Sequence, residues 1–370
     1  PPFTLHHANY PADLTVEYPE KLSRGKVLIK WWLLAIPHYL VLSLLALGQA
    51  YDAPGFVFHT RAYATLGNPS YLAAILTTTT LVAVGFLASS LVTAGSPSTG
   101  QRRPLGAASQ RWNSMERQVL LWRVFWAATA TLGVWALYMT GTRGALAGLV
   151  AGAVAMPVFL FLFGNRKALK PLAVAAFGVL FGVAVLLIID ISPYISILPR
   201  SPDQTTSARI MSTDIEESNV AIRLKLIEVA ISGFLDRPVL GWGHDNFNPV
   251  YDRFADTSFY KYGTIPADRP HNKVAEELVT KGIVGTFIYG ILWALLVWVI
   301  IRRRRERPDE VLAYAVLGAL AGYFVQNLFL FDTPAMILQW TLLLAWVAGE
   351  ELAEAGRDHA GLRVSATTRR

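Results

Sequence analysis

Apolar runs of about 20 residues recur along nearly the whole chain, and no other feature limits the possible folds as strongly. Each run is long enough to cross ~30 Å of hydrocarbon as an α-helix. We read eight of them, near 27–48, 71–93, 117–139, 143–164, 171–190, 283–301, 311–331 and 334–352. Inside hydrocarbon every backbone N–H and C=O must find a partner within its own segment, so such runs form helices. Because they recur, no single one reads as a removable leader. Hydrophobic residues make up 53% of the chain and charged residues 16%, with a mean hydropathy of +0.39, outside the balance of a soluble domain. The expected fold class is an all-α, polytopic membrane protein of about eight transmembrane helices with one large outer loop.

Short basic clusters set the orientation. Lys21, Arg24 and Lys26 precede the first run, and Arg102, Arg103 and Arg111 lie between the second and third. Arg166, Lys167 and Lys170 follow the fourth, and Arg302–Arg305 follow the sixth. Alternation of the runs puts all four groups on one side, which is cytoplasmic by the positive-inside tendency. Both termini are then expected inside. The formal net charge of +7 resides in these clusters, so it sets topology and does not call for nucleic acid. The chain has no cysteine, which excludes disulfides, thiolate metal sites and a cysteine nucleophile.

Three parts follow: 1–50, a cytoplasmic segment plus the first helix; 51–352, the membrane domain with an outer loop at 191–282; and a cytoplasmic tail at 353–370. Within the loop, NVAIRLKLIEVAISGFLD (219–236) is expected to form an amphipathic helix opened by Asn219. Its apolar positions are read as Ile222, Leu226, Val229 and Ile231, and it lies on the membrane surface or folds back over the bundle. Gly282 marks where the loop's last helical stretch gives way to the sixth run.

Four cationic or titratable groups fall on the outer face: Arg61, Arg143, Arg223 and His271. Singly, each has a plain explanation. Arginines at helix ends snorkel to headgroups, and a histidine ahead of a helix is often solvated or part of a cap. His271 has Ala275 at i+4, so it does not open a paired-histidine zinc helix, and Asp245 with His244 and Asn246 lacks the spacing of a metal loop. No phosphate-binding glycine loop or dinucleotide fingerprint is present. Together the four groups fit one chemistry. Arginine forks hold phosphate oxygens, and a neutral histidine accepts a proton from a hydroxyl, which suits transfer from a lipid-linked diphosphate to an alcohol. No metal and no cofactor are expected.

Residues 56–350 resemble the O-antigen ligase and polymerase family of bacterial membrane glycosyltransferases. The resemblance lies in TLGNPSYLAA (65–74), GTRGALAGLVAG (141–152), AIRLKLIEVAISGFLDRPVLGWGHDNF (221–247), RPHNKVAEELVTKGIVGTFIYG (269–290) and YFVQNLFLFDTPA (323–335), in that order around one long outer loop. It implies transfer of a glycan from an undecaprenyl-diphosphate carrier to lipid A-core, a growing polysaccharide or a protein hydroxyl, without a metal. Carried over by motif, the base is His271, and Arg143 and Arg223 hold the carrier diphosphate with Arg61 a weaker candidate. Asn272, Asp245 and Asn246 are candidate supporting residues. Residues 18–45 resemble a different group, small actinobacterial-type membrane proteins of unknown function, so a fusion is one reading of the N-terminus. The other classes weighed are an anionic lipid or solute transporter and an inactive scaffold. A transporter is expected to carry mid-membrane charges or matched halves, and the runs hold almost none of the first and no sign of the second.

Overall fold

The computed structural model describes residues 40–51, 66, 68–93, 108–164, 169–191, 219–262, 267–306 and 311–345, and its regular elements there are all helical. Five helices come first: α1 (Leu40–Ala50), α2 (Pro69–Thr93), α3 (Ala108–Met139), α4 (Arg143–Phe163) and α5 (Leu169–Ile191). The segment expected as the outer loop then holds α6 (Asn219–Asp236), α7 (Asn248–Phe254) and a 3₁₀ turn at Thr257–Tyr262. The chain returns to the bundle through α8 (Lys273–Glu306), α9 (Val311–Asn327) and α10 (Pro334–Ala345).

Stretches long and apolar enough to cross a membrane occur in α2, α3, α4, α5 and α8. The other three expected runs coincide with α1, α9 and α10, which are apolar but shorter as described. The protein is therefore an all-α, multi-pass membrane protein. The first expected run begins before residue 40 and the last passes residue 345, outside the described residues, as do the basic groups at 21–26 and 102–103.

Packing within the bundle follows its small residues. In lipid there is little hydrophobic drive between helices, so close backbone contact carries the association. Gly148 and Gly152 of α4 lie against Gly322 and Gly318 of α9. A Cβ on Gly148 would sit 2.6 Å from the Gly322 carbonyl oxygen, and one on Gly318 would sit 2.7 Å from the Gly152 oxygen. Gly148 and Gly152 of α4 and Gly318 and Gly322 of α9, each pair four residues apart, thus form a shared antiparallel seam. The Thr77–Thr80 run of α2 is buried beside it, with the Thr77 hydroxyl donating to the Ala73 and Ala145 carbonyls.

Beyond Gly282, α8 has the opposite character. Ile283, Val284, Phe287, Ile288, Leu292 and Leu295 are all exposed, a surface that in a membrane protein faces acyl chains.

The outer segment has its own small core. Leu226, Val229 and Ala230 of α6 pack with Phe247, Val250, Phe259, Ala275 and Val279. Positions 226, 229, 230 and 233 form one face at helical spacing, and Gly233 lets Val250 and Val279 approach, since a Cβ there would meet Val250 Cγ1 at 2.3 Å. Leu226 and Val229 were expected on this face. Ile231 was also expected there but is 49% exposed, one step round the helix, and Ala230 takes its place.

Gly282 interrupts α8 with φ 63° and ψ −168°. The break frees main-chain groups, and the loop 238–243 takes them up. Trp242 N–H donates to Val279 O (3.0 Å), Gly243 N–H to Thr280 O (2.8 Å), Ile283 N–H to Pro238 O (2.8 Å) and Val284 N–H to Val239 O (3.3 Å). Gly241, with φ 68°, stands so close that a Cβ would lie 2.6 Å from the Gly282 nitrogen. Two glycines therefore weld the end of α6 to the point where α8 turns apolar.

Candidate active site at the start of α8

The turn 268–272 delivers His271 into the top of α8. Asn272 caps that helix: its Oδ1 accepts the Ala275 N–H at 3.0 Å, and its carbonyl accepts the Glu276 N–H at 2.9 Å. Its Nδ2 donates to the Leu328 carbonyl at 3.0 Å, tying the helix start to the end of α9. Asn272, expected as a supporting residue, is the cap of the helix that follows His271.

His271 itself has φ 54°, a conformation that histidine, asparagine and aspartate adopt more readily than most residues. Its ring stands edge-on to Phe331, centroids 5.2 Å apart at 81°. Nδ1 lies 3.1 Å from the Arg269 carbonyl oxygen. A carbonyl only accepts, so Nδ1 carries the proton and Nε2 keeps the lone pair. Burial lowers the His271 pKa from its ordinary value, and the Arg223 and Arg269 charges add to this, against an upward pull from the Arg269 carbonyl and Asp268. The imidazole is therefore neutral at pH 7.

Arg223 comes from α6 and is partly buried. Burial, then the charge of Arg143, lowers its pKa. Arg143 opens α4 directly after the turn Thr140–Thr142, where Gly141 takes φ 58°. Thus Arg143 acts on Arg223 and Arg223 acts on His271, although the three arrive from α4, α6 and the entry to α8. A partly buried arginine whose electrostatic neighbour is a second cation is a poor arrangement alone and a good one around an anion.

The other expected residues fare differently. Arg61 lies outside the described residues. Asp245 (φ 60°) is exposed and pairs with Arg269 of the turn that carries His271, whereas the exposed Asn246 donates to the Trp242 carbonyl of its own loop at 3.0 Å.

Sequence reasoning missed Arg269 and the buried ion network behind it. The Arg269 guanidinium joins Asp245 to Glu276 (Nη1 to Oε1, 3.0 Å) and stacks on Phe331, 4.9 Å from the ring centroid. It holds His271 through its carbonyl and braces the ring that His271 touches. Lys273 Nζ reaches Glu277 at 2.9 Å, Asp332 at 3.1 Å and Glu276 at 3.6 Å, while Lys281 holds Glu277 at 2.7 Å. Asp332 also accepts from Asn327 Nδ2 at 2.8 Å and from the Tyr323 hydroxyl. Glu276 and Glu277 are 3% and 2% exposed, so their charges depend on these partners. The Lys273, Glu276, Glu277, Lys281 spacing was visible as a polar helical face, but nothing in it announced Asp332 arriving from the α9–α10 turn.

Two guanidinium forks and a neutral imidazole of defined tautomer can bind an anion and accept a proton beside it. The sequence model of the family described as O-antigen ligase matches residues 128–290, a stretch that runs from α3 into α8 and contains Arg143, Arg223, Arg269 and His271. No curated protein matches the chain.

Proposed function

We propose that this chain, whose residues 128–290 match the sequence model of the O-antigen ligase family, is a membrane glycosyltransferase that transfers a glycan from undecaprenyl diphosphate to an acceptor hydroxyl at the outer face of the bacterial cytoplasmic membrane. His271 Nε2 takes the proton of the acceptor hydroxyl as that oxygen bonds to the anomeric carbon. The bond from this carbon to the diphosphate oxygen breaks, and the diphosphate leaves with the electron pair. Attack opposite the leaving group inverts the anomeric centre. Arg143 and Arg223, with Arg61, hold the leaving diphosphate, where charge grows in the transition state. The observation that carries this reading is the coupling of Arg143, Arg223 and His271 from three separate elements, with the Arg269 carbonyl holding the Nδ1 proton.

The acceptor separates three forms of the proposal. A lipid A-core acceptor makes the chain a ligase, a growing chain makes it a polymerase, and a protein hydroxyl makes it an O-oligosaccharyltransferase. Glycan profiling of a deletion strain tells them apart. Loss of a ligase leaves carrier-linked polymer, loss of a polymerase leaves single repeat units, and loss of a protein transferase leaves bare protein. Complementation with His271→Ala and Arg223→Ala should fail while both variants insert normally; restored transfer by either removes that residue's proposed role.

A further inference from the structure

The outer segment carries a second apolar face that its own core does not use. On α6 the core side is Leu226, Val229, Ala230 and Gly233, whereas Leu224, Ile231 and Leu235 point the other way and are 52%, 49% and 69% exposed. Positions 224, 231 and 235 fall in one stripe at 3.6 residues per turn, which the exposed Glu228 crosses between the first two, so the apolar end toward the loop is Ile231 and Leu235. Just past the helix, Val239 and Leu240 are 59% and 72% exposed. Large apolar side chains this exposed at the end of a helix and in the loop after it mark a contact surface.

What covers them follows from the weld at Gly282. Pro238 and Val239 accept main-chain hydrogen bonds from Ile283 and Val284, so Val239 and Leu240 are fixed at the level where the exposed apolar band of α8 begins. The same band continues through Phe287 and Ile288 on a helix apolar enough to span a membrane. The loop surface and the lipid-facing surface are therefore one surface. Its polar rim suits the same neighbour. Arg237 lies 3.9 Å from the Trp242 ring centroid and Arg253 lies 5.6 Å from it, with both guanidiniums about half exposed. Tryptophan flanked by arginine is the residue choice of the headgroup layer, where an apolar body meets phosphate.

We infer that the outer stripe of α6 and the Pro238–Leu240 loop form a wedge seated in the outer leaflet of the bilayer, with Trp242, Arg237 and Arg253 at the headgroups. Because the wedge is hydrogen-bonded to α8, it fixes the height of the outer segment above the lipid.

The absence of cysteine allows a clean test. Single cysteines at Leu235→Cys, Leu240→Cys and Asp252→Cys take a nitroxide spin label in the full chain reconstituted in phosphatidylethanolamine–phosphatidylglycerol vesicles. Collision rates with oxygen, which partitions into acyl chains, and with a water-soluble nickel chelate then report the surroundings of each label. At 235 and 240 oxygen collisions should exceed nickel collisions severalfold, and at the exposed Asp252 the order should reverse. Labels at 235 and 240 that are as open to nickel as 252 overturn the wedge by placing it in water. Labels shielded from both reagents overturn it by placing protein, a second copy or another chain, over the stripe. Neither readout depends on glycan transfer.

Discussion

Replacing Gly282 with alanine reverses the usual sign of such a change. In an ordinary helix interior the substitution stabilises by roughly 1 kcal/mol, because glycine has the greater backbone freedom to lose. At φ 63° and ψ −168°, a conformation essentially confined to glycine, alanine costs about 1–3 kcal/mol instead. The new Cβ would also lie 2.3 Å from the Val239 carbonyl oxygen, a backbone atom that can yield only by moving the loop. That movement breaks the bonds from Ile283 to Pro238 and from Val284 to Val239, at about 1 kcal/mol each. The total is about 3–5 kcal/mol against the docked loop, and at ~1.36 kcal/mol per tenfold even the lower figure speeds local opening by more than a hundredfold. Hydrogen exchange of peptides covering 238–243 and 279–284, in lipid nanodiscs, reads this directly. Gly290→Ala is the control, since nothing lies within 4 Å of a Cβ there, and it should leave exchange unchanged or slower. If Gly282→Ala exchanges no faster than wild type, the weld between loop and helix is refuted.

Other outcomes follow from the site. Burial keeps His271 neutral to below the ordinary histidine value, so transfer should hold steady through neutral pH and fall only on acidification below about 6.5. The same lowered pKa makes the neutral form's contribution to stability complete above ~6.5 and progressively lost as pH falls through the folded-state value. A rate that rises on acidification contradicts the base. Lys273→Met strands Glu276, Glu277 and Asp332 without their shared cation and should cost about 3–5 kcal/mol in unfolding titrations, partly recovered by adding Glu277→Gln. Asn272→Ala should cost about 2 kcal/mol, ~1 for the lost cap and ~1 for the lost bond to the Leu328 carbonyl, and Asn272→Asp, which keeps the cap but turns a carboxylate oxygen toward that carbonyl, should not restore wild-type stability.

The fold was legible because each helix announces itself: an apolar run cannot cross lipid otherwise, and the break at Gly282 falls where the polar stretch ends. The glycines of the seam, at 148 and 152 of α4 and at 318 and 322 of α9, stand four residues apart in the sequence, but their pairing depends on which helices become neighbours. At the site, the expectation that Arg143, Arg223 and His271 share one face came from topology, whereas the chain of influence from Arg143 to Arg223 and from Arg223 to His271 needed three elements to meet. Asn272 shows the limit of motif reading. Adjacent to the histidine it looked like chemistry, and its hydrogen bonds are those of a cap. Arg269 was hidden for a related reason, since its backbone carbonyl, which sequence does not distinguish, is the atom that sets the histidine tautomer. Ile231 departed from its expected face because the helix carries two apolar sides, and periodicity alone does not say which one meets protein.

The central claim is that His271 moves the proton while the arginines hold the donor. Single-turnover transfer by the purified, reconstituted chain separates these roles, with binding of the undecaprenyl-diphosphate-linked donor measured in parallel. His271→Ala should bind donor within a few-fold of wild type yet transfer roughly 10²–10⁴ times more slowly, the usual reach of general base catalysis. Transfer by His271→Ala at the wild-type rate, or loss of donor binding that accounts for the whole defect, would contradict the account.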